Sequence, residues 1–282
     1  MHAWLTRFDA VLRRIAPGGE FRRHAVHRRL TGSADVPGGD VLHARLLDAV
    51  APSAASWTAA GGPLVLDAGC GLGGTTRFLQ GALGGRGCGL TLSAAQAARA
   101  TAEARRRGMD GVCRFVVRSY DAPLDDLLPE GADLIVAIES LAHADDPEAT
   151  IGRLARVLRP RGRLVVVDDM PAADLAPDDP DVEGFRRGWQ VPAVATASTL
   201  RGACDAAGLR VVTDHDLTPL VPRRASASLA ARLGAARLLT PLLGSTPAGV
   251  LLDALRGGLH LERLYARGRV AYRLIAAERP AA

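Results

Sequence analysis

The chain has 282 residues and contains neither lysine nor asparagine. All 35 of its basic residues are arginine, which excludes Schiff-base chemistry and a lysine general base. Aromatic residues are sparse, at 4% of the chain. Four cysteines (Cys70, Cys88, Cys113 and Cys204) show no paired ligand spacing, so reduced, buried thiols are the default reading and no metal site is expected. Long apolar runs are missing too. One long uncharged stretch, Leu238 to Leu252, is shorter than the ~20 residues of a spanning helix and contains Pro241 and Pro247. Charges interrupt the N-terminus, so no signal peptide is legible. These absences predict a soluble, cytoplasmic protein without stable membrane insertion.

What is present supports a sizeable core, since 48% of the residues are hydrophobic. The net charge of +5 is weak evidence for a nucleic-acid partner, because the abundance of alanine, glycine and arginine resembles GC-rich codon usage. The charge is also local. Residues 1–30 carry seven arginines against Asp9 and Glu20, which already equals the net charge of the whole chain. Trp4, Leu5, Phe8, Val11, Leu12 and Ile15 recur there at near-helical spacing. The segment reads as a helix packing on the core, with peripheral contact to an anionic surface as the competing reading.

The chain is organised around Val65 to Thr76. An apolar run ends in Asp67; Gly69, Gly71, Gly73 and Gly74 follow, and a helix starts at Thr75. Glycines allow a sharp turn and close approach to a ligand, and the helix beyond presents unpaired N–H groups. Gly69, Gly71 and Gly74 satisfy G-x-G-x-x-G, but a dinucleotide site also wants an acid at the end of the next strand. That strand, Gly87–Thr91, ends without one. The acid sits at the tip of the first strand instead, which suits a positively charged ligand without pyrophosphate.

Further strands are expected at Leu64–Asp67, Val112–Val117, Ala132–Ile138, Gly162–Asp168, Leu209–Asp216 and Tyr272–Glu278. Helices are expected between them, at Thr75 to Leu83, Ala94 to Arg107 (capped by Ser93), Pro147 to Leu158 and Thr199 to Ala207. Another helix, Val41 to Val50 capped by Asp40, precedes the sheet, and Pro52 to Pro63 reads as a loop. Alternating strands and helices predict an α/β domain with a parallel sheet covered on both faces. Residues 170–197 read as an acidic, proline-rich insertion, with Asp178-Asp179-Pro180-Asp181 a loop. Residues 224–266 read as two or three helices. The division expected is an N-terminal helical segment or lid, 1–58, followed by a domain over 59–282 with a helical insertion at about 224–266.

The glycine stretch resembles the first motif of the Rossmann-like S-adenosylmethionine-dependent methyltransferases, an apolar strand followed by D/E-x-G-x-G-x-G. Gly89 to Gln96 is similar to the second strand end in methyltransferases of the cyclopropane-fatty-acid, sterol and tocopherol type. Ala137 to Pro147, with Glu139 and His143, resembles the E-x-x-x-H after strand four in sterol, tocopherol and prenyl C-methyltransferases. Arg156 to Leu164 resembles their R-V-L-K-P-G-G segment, with Arg161 where glycine is usual. The likeness covers roughly residues 60–170, and more loosely 185–280.

The resemblance implies a seven-stranded, doubly wound sheet in the order 3-2-1-4-5-7-6, with strand seven antiparallel, N-terminal helices and a helical lid insertion. It implies S-adenosyl-L-methionine as cofactor, held by Asp67, Gly69, Gly71, Gly73, Thr91, Leu92, Gln96, Ser119, Tyr120, Asp121 and Ile138. Asp121 would face the adenine and Thr91 the ribose. Glu139 and His143 are the candidate bases, and Trp189 and Tyr265 the substrate-pocket candidates. The acceptor implied is a small, largely apolar metabolite, methylated on an isoprenoid-like or other carbon, with N- or O-methylation as the alternative. A nicotinamide oxidoreductase and a non-catalytic cofactor-binding relative stay open. A nucleic-acid substrate is disfavoured, because strand four lacks an N/D-P-P-Y/F ending and aromatics for a flipped base are few. A homo-oligomer is compatible with the sequence.

Overall fold

A computed structural model of the chain describes residues 28, 30–32, 40–192, 194–223, 228–229, 231–236 and 246–281. Seven strands form one sheet: β1 (Leu64–Ala68), β2 (Arg86–Thr91), β3 (Cys113–Val117), β4 (Ala132–Ile138), β5 (Leu158–Pro171), β6 (Arg210–Asp216) and β7 (Val270–Glu278). Their order is β3-β2-β1-β4-β5-β7-β6. β7 runs antiparallel to β5 and β6, and the remaining pairs are parallel. Order and sense agree with the resemblance.

The helices are α1 (Val41–Ala59), α2 (Gly74–Leu83), α3 (Ala94–Arg106), α4 (Pro147–Arg156), α5 (Pro180–Trp189), α6 (Ala197–Ala206) and α7 (Pro247–Ala266). Most starts are fixed by side chains that accept a free first-turn N–H: Asp40 from His43, Ser93 from Gln96, Asp146 from Ala149 and Thr196 from Thr199. The sheet buries both faces. Along β4, Leu134 and Val136 point into one core with Leu42 and Leu46 of α1, Leu79 of α2 and Phe185 of α5. Ile135 and Ala137 point into the other, with Ile151 and Leu154 of α4 and Leu200 of α6. The two-residue alternation of a strand explains the split.

Several expectations need correction. The stretch from Pro52 is not a loop: α1 continues through Pro52 to Ala59. Ser53 and Trp57 are buried on it, and the Arg163 guanidinium donates to the carbonyl of Ala49 one turn back from the proline. Burial of the indole and this added donor, one residue along, favour the continued helix despite the ladder bond to the Asp48 carbonyl that proline cannot make. Residues 170–197 are not wholly irregular either. β5 runs on to Pro171, paired with β7, and α5 occupies Pro180–Trp189. The supposed acidic loop is its start: Asp179 caps the helix and Pro180 takes its first position.

β5 also begins earlier than expected, at Leu158, and passes Arg161 at φ 60°. That left-handed backbone is one that favours glycine over a residue with a side chain. In 224–266, α7 accounts for the last 20 residues; residues 224–227, 230 and 237–245 lie outside the described residues. The expected helices over 1–30 also lie outside them, apart from Arg28 and Leu30. No helix among the described residues is long and apolar enough to cross a membrane.

Candidate active site

The glycine turn sits where the β1 end meets the start of α2. Gly69, Gly71 and Gly73 have φ of 107°, 52° and 70°. A Cβ at Gly69 would stand 2.4 Å from Cβ of Ser140, and one at Gly73 would stand 2.2 Å from the Phe115 ring. Gly71 differs, since a Cβ there would meet nothing within 4 Å. Two glycines are therefore required by the protein's own packing, while the third opens onto free space. The N-terminus of α2 carries no side-chain cap, so its first amides sit beside that opening without a side-chain acceptor.

Asp67 is 3% exposed and accepts from the Thr76 hydroxyl at 2.6 Å. The carboxylate thus ties the strand end to the first turn of α2. At the β2 end, Thr91 donates to Oε1 of Gln96 at 2.7 Å and accepts from the Ser93 amide at 3.1 Å. These bonds orient Gln96 next to the strand tip, with Leu92 between them in sequence and only partly buried. After β3, Ser119 accepts from the Asp121 amide at 3.0 Å, and Asp121 receives the Thr150 hydroxyl and lies 3.7 Å from Arg153. Its carboxylate is directed to α4. The Tyr120 hydroxyl donates to the Ser140 carbonyl at 2.5 Å, joining the β3 and β4 ends. Ile138, half-buried, closes β4.

Glu139 follows it at φ 48°, a conformation costly for a residue with a side chain. Its Oε1 accepts from the Tyr272 hydroxyl at 2.8 Å and from the Arg28 amide at 2.7 Å. Burial and the neighbouring Asp169 raise its pKa above the usual range, with Arg28 and Tyr272 acting against that rise. His143 ends a short 3-10 turn, Leu141–His143. Its Nδ1 is buried without a hydrogen-bond partner, and burial lowers its pKa, so the ring is neutral near pH 7 and able to accept a proton. No hydrogen bond joins Glu139 to His143 among the described residues. One faces β7, and the other lies near the Gln190 backbone after α5.

The substrate-pocket candidates separate as well. Tyr265 is 3% exposed and its hydroxyl donates to Asp169. Trp189 packs on α7, where a Cβ at Gly257 would be 2.6 Å from its ring. Four participants escaped the sequence reading: Arg28, Asp168, Asp169 and Tyr272. Arg28 pairs with Asp169 at 3.1 Å and lies over the rings of Tyr265 and Tyr272. Asp168 accepts from the amides of Ala142 and Asp169, and its pKa is pushed up to about 8 by burial and by Asp169. The Asp168-Asp169 pair at a strand end was the one legible signal for this cluster.

A family model described as "Methyltransferase domain" matches residues 66–166. O-methyltransferase rstn1 of Aspergillus nomiae is 30% identical over 158 residues, covering 55% of this chain and 68% of the relative. The chain belongs to the S-adenosylmethionine-dependent methyltransferase family. A second member, 24-methylenesterol C-methyltransferase 2 of Oryza sativa subsp. japonica, is 29% identical over 168 residues, 57% of this chain and 46% of that protein. The chain spans about half the length of most curated relatives it matches. The fold is shared along nearly its whole length with geranyl diphosphate C-methyltransferase from Streptomyces coelicolor A3(2), solved with Mg2+, geranyl diphosphate and S-adenosyl-L-homocysteine. There the TM-score is 0.63 at 21% identity, covering 97% of this chain and 98% of that one.

Proposed function

We propose that the protein transfers the methyl group of S-adenosyl-L-methionine to a small, largely apolar acceptor. The observation that carries this reading is the turn at Gly71, open to space where its neighbours are closed by Ser140 and Phe115. The residues fit the cofactor. Gly71 and the uncapped amides of α2 would take its amino-acid end, Thr91 and Gln96 the ribose, and Ser119, Tyr120 and Asp121 the adenine side. Asp67 acts through Thr76 by fixing the turn. The cofactor, when bound, supplies a sulfonium-activated methyl group.

The chain's own residues position the acceptor, exclude water and accept a proton. Glu139 is held by Tyr272 and Arg28 in one orientation, and neutral His143 keeps an unused ring nitrogen. Either can serve as base. Trp189 and Tyr265 are assigned to the acceptor pocket. An isoprenoid-like carbon acceptor is supported by the sterol relatives, and oxygen acceptors by relatives such as rstn1. The charge pattern of the chain keeps a cytoplasmic location as our expectation.

The test is incubation of the purified chain with methyl-labelled cofactor and a panel of apolar acceptors, read by mass spectrometry. One labelled methyl group should appear in a product, and Glu139→Gln or His143→Ala should abolish it. Failure of wild type across terpenoid, phenolic and amine acceptors would overturn the proposal.

A further inference from the structure

Two carboxyl groups, Glu139 and Asp169, meet near the ends of β4 and β5. The Arg28 guanidinium faces them, 5.0 Å from the Tyr265 ring centre and 5.6 Å from that of Tyr272. Each phenol donates its proton to a carboxylate, Tyr265 to Asp169 and Tyr272 to Glu139. Two aromatic faces backed by carboxylates form the kind of cage that binds organic cations.

We propose that this cage is the head-group site of the acceptor, that the acceptor is an amine with an apolar body, and that Arg28 occupies the amine's place until it binds. The proposal rests on the methyl-transfer reading above. Charge supports it. Two carboxyl groups, Glu139 and Asp169, surround the one cation of Arg28, Asp169 pairing with its side chain and Glu139 with its main-chain amide. An ammonium replacing Arg28 keeps that balance, whereas a carboxylate or diphosphate head would meet like charges. A neutral carbon acceptor gains nothing from the cage before reaction.

The Arg28 side chain is 21% exposed and belongs to no helix or strand. The proton inventory closes: the ammonium gives a proton to the Glu139 carboxylate, and the freed lone pair forms the new C–N bond. The C–S bond of the sulfonium breaks with its electrons staying on sulfur. The methylated ammonium keeps the positive charge, and Glu139 returns its proton to water.

The experiment is calorimetric titration of the full chain, saturated with S-adenosyl-L-homocysteine, using phenethylamine, phenethyl alcohol and 3-phenylpropionate. The amine should bind at least about tenfold tighter than either partner compound. Arg28→Gln should tighten it by removing the internal competitor, Arg28→Lys should leave it near wild type, and Asp169→Asn should weaken it. Tightest binding of the carboxylate, lost in Arg28→Gln, would make Arg28 an anion receptor and overturn the proposal. Equal binding of all three, or none, would overturn it as well. Failure of S-adenosyl-L-homocysteine to bind would instead strike the methyl-transfer reading itself, and thermal melts show that each variant is folded.

Discussion

Replacing Gly71 or Gly73 with alanine separates the needs of the fold from those of the ligand. Both glycines are left-handed, so a Cβ at either costs about 1–2 kcal/mol of backbone strain. At Gly73 the new carbon also stands 2.2 Å from the Phe115 ring, an overlap something must relieve. Overpacking of that kind adds about 1–3 kcal/mol, for a total of about 2–5 kcal/mol. At Gly71 there is nothing within 4 Å to strike, so only the backbone strain remains. If the open space above Gly71 is where the cofactor lies, its alanine variant should nevertheless lose at least about tenfold in affinity for S-adenosyl-L-homocysteine, or about 1.4 kcal/mol. Urea unfolding without ligand measures the first quantity and calorimetry the second. Gly71→Ala with unchanged affinity would refute the assignment of the turn as cradle. Equal destabilisation of the two variants would refute the packing argument.

Other outcomes follow from single contacts. Arg161→Gly should stabilise the chain by about 0.5–1 kcal/mol in urea unfolding, because the φ of 60° suits glycine. Leu46→Ala, on the buried face of α1, should cost about 2–5 kcal/mol; a value under 1 would mean that α1 is not part of the core. Gly184→Ala places a Cβ 2.4 Å from the His260 ring and should cost about 1–3 kcal/mol by prising α5 from α7, read by thermal melting. Asp168 keeps in the folded state a proton that the unfolded chain releases near pH 4, and gives it up only near pH 8. Between those values the native state binds more protons, so stability falls as pH rises. Asp168→Asn should flatten that slope in urea midpoints taken from pH 5 to 8.

Most of the sheet was legible because its signals are local. β4 reads as an apolar run, Leu134 to Ile138, closed by Glu139, and Ser93 and Asp40 announce their helices by capping chemistry. The bounds failed where distant contacts outweighed local preference. Pro52 stops no helix, because Trp57 finds the core and Arg163, more than 100 residues away, donates to Ala49. The acidic run at the start of α5 reads as loop until Asp179 and Asp181 meet Arg267, just past α7, and Asp181 also meets His260 within it. The chemistry at the β4 end was half legible. Glu139 and His143 stand in a motif, but Arg28 and Tyr272 reach Glu139 from 111 and 133 residues away. No spacing rule in a single sequence connects them.

The central claim is the cofactor, and calorimetric titration of the purified chain with S-adenosyl-L-homocysteine, with NADH and NADPH as controls, tests it most directly. Saturable binding of S-adenosyl-L-homocysteine alone is the predicted result. Binding of a nicotinamide, or no binding of S-adenosyl-L-homocysteine by a folded chain, would contradict the account.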